Sequence, residues 1–86
     1  MRAIFHKRFQ KRYEKLRRGE KHSTQERIRL FYESPFHPLL DNHALQGEYK
    51  GYRSINVTGD LRAIYEEINS DTVHFTKLGT HPELYE

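Results

Sequence analysis

The sequence predicts an α+β fold, with two N-terminal helices packed on an antiparallel sheet of about four strands. Three observations carry that expectation. Phe5, Phe9, Tyr13 and Leu16 recur every three or four residues, the period of one helical face. Ser23-Thr24-Gln25-Glu26 has the capping-box spacing that opens a helix, and Ile28, Phe31 and Tyr32 supply a buried side behind it. Three runs, 52–57, 61–68 and 72–78, alternate between apolar and polar residues and are separated by short turns.

Taken in order, Arg2-Ala3-Ile4-Phe5 suits a short first strand, and the first helical stripe follows until Gly19 stops it. The Lys and Arg residues between the stripe positions form the other face, either solvated or in contact with phosphate. The second helix ends at Ser34-Pro35, because a residue before proline avoids the helical region. Two helices joined by a few polar residues pack antiparallel. From Pro35 to Gly47 the pattern is irregular. Thr58-Gly59-Asp60 and Asn69-Ser70-Asp71 then turn the three alternating runs into an antiparallel meander.

Eighty-six residues carry too little apolar surface for two cores, so one domain over residues 1–86 is expected. The 35% apolar and 31% charged content leans toward disorder, but five Phe and six Tyr restore enough apolar area for a thin core. Between residues 2 and 29, Lys and Arg outnumber Glu by eleven to three, which favours a polyanion or an acidic protein as partner. A solvated basic surface would look the same. The absence of cysteine excludes disulfides and thiolate metal sites. No apolar stretch suits a membrane span or a signal peptide, so a cytoplasmic protein is expected by elimination. His37, His43, His74 and His81 lack close metal-ligand spacing, and neither a metal nor a cofactor is expected.

The C-terminal half holds the residues that could carry chemistry. His43 precedes the meander, Arg53 and Asn56 lie on its first strand, Asp60 and Arg62 open the second, and His81 and Tyr85 follow the third. Each has an ordinary structural use: His43 as a loop residue, His81 at a strand end, Asp60 in a turn, the arginines paired across the sheet. Together they contain the parts for cutting RNA without metal. RNA supplies its own nucleophile, the 2′-hydroxyl; histidine suits the two proton transfers and arginine the phosphoryl charge. An aromatic ring can stack an unpaired base.

The segments that hold these residues resemble a known family. Asn42-His43-Ala44-Leu45-Gln46-Gly47 with Tyr49-Lys50-Gly51-Tyr52-Arg53, then Asp60-Leu61-Arg62-Ala63-Ile64-Tyr65, then Leu78-Gly79-Thr80-His81-Pro82-Glu83-Leu84-Tyr85, resemble the ordered motifs of YafQ-type toxins in the RelE/ParE superfamily. The resemblance implies the toxin of a type II toxin–antitoxin pair, a metal-independent endoribonuclease that cuts mRNA on the ribosome and is neutralised by a cognate antitoxin. It implies His43, Asp60, His81 and Tyr85 as catalytic residues, with His81 the general acid and His43 or Asp60 taking or orienting the 2′-hydroxyl proton. Lys50, Arg53, Asn56 and Arg62 would contact phosphate or RNA. Asn56 stands where these toxins often have a histidine, and Leu61 where they tend to have tryptophan. Two rival readings accompany the nuclease: a ParE-like toxin that binds gyrase and cuts nothing, and an inactive homologue that binds only its antitoxin.

Overall fold

A computed structural model describes residues 1–85. Strand β1 (Arg2–Phe5) leads into helices α1 (Lys7–Glu14) and α2 (Arg18–Glu33). A two-residue strand β2 (His43–Ala44) precedes the meander of β3 (Tyr52–Asn56), β4 (Leu61–Asn69) and β5 (Thr72–Thr80), and the one-turn helix α3 (His81–Tyr85) closes the chain. The sheet has five strands in the order β1-β5-β4-β3-β2. The α+β class and the helix-on-sheet arrangement are as the sequence predicts. The strand count rises by one because His43–Ala44 pairs antiparallel with Arg53–Ser54 inside the segment expected to be irregular. The sheet is also not wholly antiparallel, since β1 runs parallel to β5.

Two helix boundaries differ from expectation. Phe5 belongs to β1, and α1 starts where the His6 imidazole Nδ1 accepts the Arg8 N–H at 3.0 Å. The second helix begins at Arg18 rather than near Ser23, and Gly19 sits in its first turn rather than ending the first helix. The cause is Glu20, whose carboxylate accepts the Arg17 N–H at 3.2 Å and so caps the helix five residues early. Thr24 then lies inside the helix, its hydroxyl donating to the Glu20 carbonyl at 2.8 Å. The far end is as expected, with Ser34 as C-cap before Pro35.

Alternation along the strands sorts the chain into two sides. On the helix side Phe9, Leu16 and Phe31 meet Ile55, Val57, Leu61, Ala63, Tyr65, Val73, Phe75 and Leu78 in the main core. Phe75 is fully buried, with Phe5 stacked on it at 5.4 Å and Phe31 edge-on at 5.4 Å. On the other side a smaller cluster of Leu45, Ile64 and Leu84 is flanked by Tyr49, Tyr52 and Tyr85. A bulge in β5 keeps the two sides separate. Ile64 pairs with Lys77 but Tyr65 with Phe75, so Thr76 is an extra residue that shifts the parity of everything after it.

Candidate active site

The loop between α2 and β2 reaches the sheet through Asn42. Its side-chain N–H₂ donates to the Pro35 carbonyl and to the Tyr65 hydroxyl, each at 2.9 Å, and its carbonyl oxygen accepts from Arg53 Nε at 2.8 Å. Burial pushes the Tyr65 phenol above 10, with the Asn42 hydrogen bond opposing the shift. Asp41, just before this anchor, has a left-handed backbone at φ 44°, and its carbonyl oxygen lies 2.7 Å from His43 Nδ1. A carbonyl can only accept, so Nδ1 carries the proton and Nε2 of the neutral ring keeps its lone pair.

His43 lies opposite Ser54 on β3, on the side of the sheet away from α1 and α2. Arg62 stands on that side of β4, paired with Asn56 on β3 and Gly79 on β5. Arg62 Nη1 donates to the Thr58 and Gly59 carbonyls at 3.0 and 2.9 Å, which ties the guanidinium to the β3–β4 turn through one nitrogen. His81 opens α3 directly after β5, and its ring lies 4.6 Å from that of Tyr85 one turn later. Asp41, His43, Leu45, Gln46, Ser54, Arg62, His81 and Tyr85 line one cleft of about 320 Å³. It is distinct from a larger, mainly apolar groove of about 960 Å³ between β1, α1 and α2.

The cleft therefore brings together His43, Arg62, His81 and Tyr85, while four other sequence candidates do not line it. Arg53 points to the helix side, held by Asn42 and lying 5.3 Å from the Phe36 ring, so it is spent on anchoring the loop. Asp60 is exposed in the β3–β4 turn, where its N–H donates to the Thr58 hydroxyl. Lys50 is exposed in the turn before β3. Asn56 shares the cleft's side of the sheet but lies beyond the lining, and its Oδ1 is buried without a partner.

Several contributors lie outside the sequence-derived candidates. Ser54 is fully buried at the cleft wall with an unpartnered hydroxyl. Tyr49 donates to the Leu84 carbonyl at 2.9 Å, accepts from Lys77 Nζ at 2.8 Å and meets Tyr85 edge-on at 5.8 Å, bracing α3 from beneath. Glu83 accepts the Thr80 N–H at 2.8 Å, and Thr80-x-x-Glu83 has the capping-box spacing that marks it in the sequence.

Comparison with known proteins gives the family of the chain. A family model described as a bacterial toxin of a type II toxin–antitoxin system, YafQ, matches residues 1–86. The chain belongs to the YafQ family. A Haemophilus influenzae relative bearing the YafQ toxin name is 40% identical over 52 residues, covering 54% of this chain and 51% of that protein. The match thus spans about half the length of the curated relative. A YoeB/ParE toxin from Agrobacterium tumefaciens superposes with a TM-score of 0.79 at 21% identity, covering 94% of this chain and 99% of the other. YafQ from E. coli superposes with a TM-score of 0.74 at 23% identity over the whole of both chains, and that protein has also been solved in a toxin–antitoxin complex with DinJ. These structural likenesses speak for the fold alone. No helix among the described residues is long and apolar enough to cross a membrane.

Proposed function

We propose that this YafQ-family toxin is a ribosome-dependent endoribonuclease that cuts mRNA through its 2′-hydroxyl. The observation that carries the reading is one cleft holding a proton-accepting His43, a tethered Arg62 and a second imidazole at position 81. His43 Nε2 takes the 2′-hydroxyl proton as the 2′-oxygen attacks phosphorus. The bond from phosphorus to the 5′-oxygen breaks, and His81 delivers a proton to that leaving oxygen. The products are a 2′,3′-cyclic phosphate and a 5′-hydroxyl. The guanidinium nitrogens of Arg62 not engaged with the turn balance charge growing on the phosphoryl oxygens. Tyr85, at the cleft wall, stacks an unpaired base. Asp60 is exposed in the β3–β4 turn and does not line the cleft, which leaves His43 as the base.

The antitoxin belongs in the other concavity. The groove between β1, α1 and α2 is apolar, bounded by an edge strand and set among the basic helices. An acidic antitoxin segment with an apolar stripe, extended or helical, would fill it.

The test is His81→Ala, assayed by primer extension on mRNA after induction and by supercoiling of a resident plasmid. Loss of cleavage by about 10²- to 10⁴-fold is expected, the usual worth of a positioned general acid. Growth arrest by the variant equal to that of the wild type would remove His81 from the mechanism. Altered supercoiling with intact mRNA would favour the gyrase-binding reading instead.

A further inference from the structure

We infer that Glu83 and Arg12 are positioning residues that hold His81 at the cleft, through a capping box clamped to the first helix. The inference rests on the nuclease reading for its effect on rate, and on geometry alone for its effect on the ring. Helix α3 has five residues, too few to be stable by hydrogen bonding within itself. Its start is built reciprocally: Glu83 Oε1 accepts the Thr80 N–H at 2.8 Å, and the Thr80 hydroxyl accepts the Glu83 N–H at 3.4 Å. The same Oε1 accepts from Arg12 Nη2 of α1 at 2.9 Å. One carboxylate oxygen therefore serves a helix cap and a link across the molecule.

His81 is the residue just inside that box. It is exposed, and among the described residues no hydrogen bond reaches its ring; the ring contact is with Tyr85. Its position is accordingly inherited from the backbone turn that carries it. Close packing leaves that turn little slack: Leu84 is buried against Leu45 and Ile64, and a Cβ at Gly79 would meet Leu84 Cδ2 at 3.3 Å. The Thr80 N–H and then the Arg12 guanidinium hold the Glu83 carboxyl at about 2, so the clamp stays charged down to strongly acid solution. An exposed ion pair alone is worth little, and Glu83 is half exposed. Its importance here is that the same carboxylate also caps the single turn bearing the imidazole, so that loss of Glu83 removes both contacts.

Three variants separate position from stability: Glu83→Ala, Glu83→Gln and Arg12→Ala. Each is measured for ribosome-dependent cleavage and for the His81 ring-proton shift induced by Tyr85 in NMR spectra. Glu83→Ala is expected to lower kcat by roughly ten- to a hundredfold, the scale of a misplaced reacting group, with KM nearly unchanged. Its His81 ring signal should move to the free-histidine position while β3 to β5 amides keep their native dispersion. Glu83→Gln keeps an acceptor for the Thr80 N–H and should restore both readouts, with Arg12→Ala lying between. A native ring shift and rate in Glu83→Ala would overturn the inference. If wild type cuts no RNA, the nuclease reading fails separately, and the ring shift alone decides the positioning claim. Should Glu83→Ala lose the sheet dispersion too, Arg12→Ala decides in its place, because it leaves the cap intact: an unmoved ring there overturns the clamp.

Discussion

Replacing Asn42 with alanine should be among the most damaging single changes outside the core. The side chain makes three hydrogen bonds, to the Pro35 carbonyl, the Tyr65 hydroxyl and Arg53 Nε. Tyr65 is only 2% exposed, so its hydroxyl cannot turn to water when the amide is gone. Stranding it costs about 1–3 kcal/mol, and losing the other two bonds adds about 1 kcal/mol each. The sum, roughly 4 kcal/mol, is a large share of the stability of any small domain. With a urea m-value of roughly 1 kcal/mol/M, the unfolding midpoint should fall by several molar. A double-mutant cycle isolates the cause. Tyr65→Phe removes the hydroxyl that would be stranded, so in the Asn42→Ala/Tyr65→Phe pair that part of the penalty vanishes. A coupling on the order of 1–2 kcal/mol is expected. Strict additivity of the two changes would refute the idea that Asn42 acts as a hub for Tyr65.

Arg62→Ala should weaken RNA binding and lower the slope of log affinity against log salt by about one, whereas Arg53→Ala should leave that slope alone and lower stability. Equal effects on the slope would show that both arginines meet phosphate. The Tyr65 phenol should titrate above 10 in the folded chain, followed by ultraviolet absorbance. The unfolded chain ionises first, so this tyrosine's contribution is fully present below about pH 10 and is lost as pH rises through the folded value. A phenol that ionises at 10 in the native protein would contradict its burial.

The meander was legible because three alternating runs and two turn clusters leave little choice of pairing. The parity of those runs also holds information about the site. Arg53 shares its parity with the core residues Ile55 and Val57, and Arg62 is out of step with Leu61 and Ala63. Counting along the strands therefore puts the two arginines on opposite sides. The start of α2 was not legible from preferred capping residues, since arginine is a poor N-cap and the signal resides in Glu20. Strand β2 has two residues and no pattern of its own; it exists because Asn42 pins the loop to Arg53 and Tyr65. The parallel pairing of β1 with β5 is a long-range choice that a four-residue strand does not encode locally. The gathering of His43, Arg62, His81 and Tyr85 depends on where β2 and α3 lie, so the residue types were readable before their proximity was.

The extra residue at Thr76 acts as a half-step in a two-beat rhythm. Upstream of it, Val73 and Phe75 turn toward the helices; downstream, Leu78 does so instead of its odd-numbered neighbours. Deleting that one residue would remove the bulge and leave Leu78 and Lys77 facing as they do now. Running the strand straight through it would instead rotate Leu78 out toward solvent and drive Lys77 toward the apolar layer. The terminal turn would then leave the strand half a repeat out of phase, and its imidazole would face away from the arginine it now accompanies. The placing of His81 beside Arg62 thus depends on an irregularity about 16 Å along the strand from the histidine, at roughly 3.3 Å per residue.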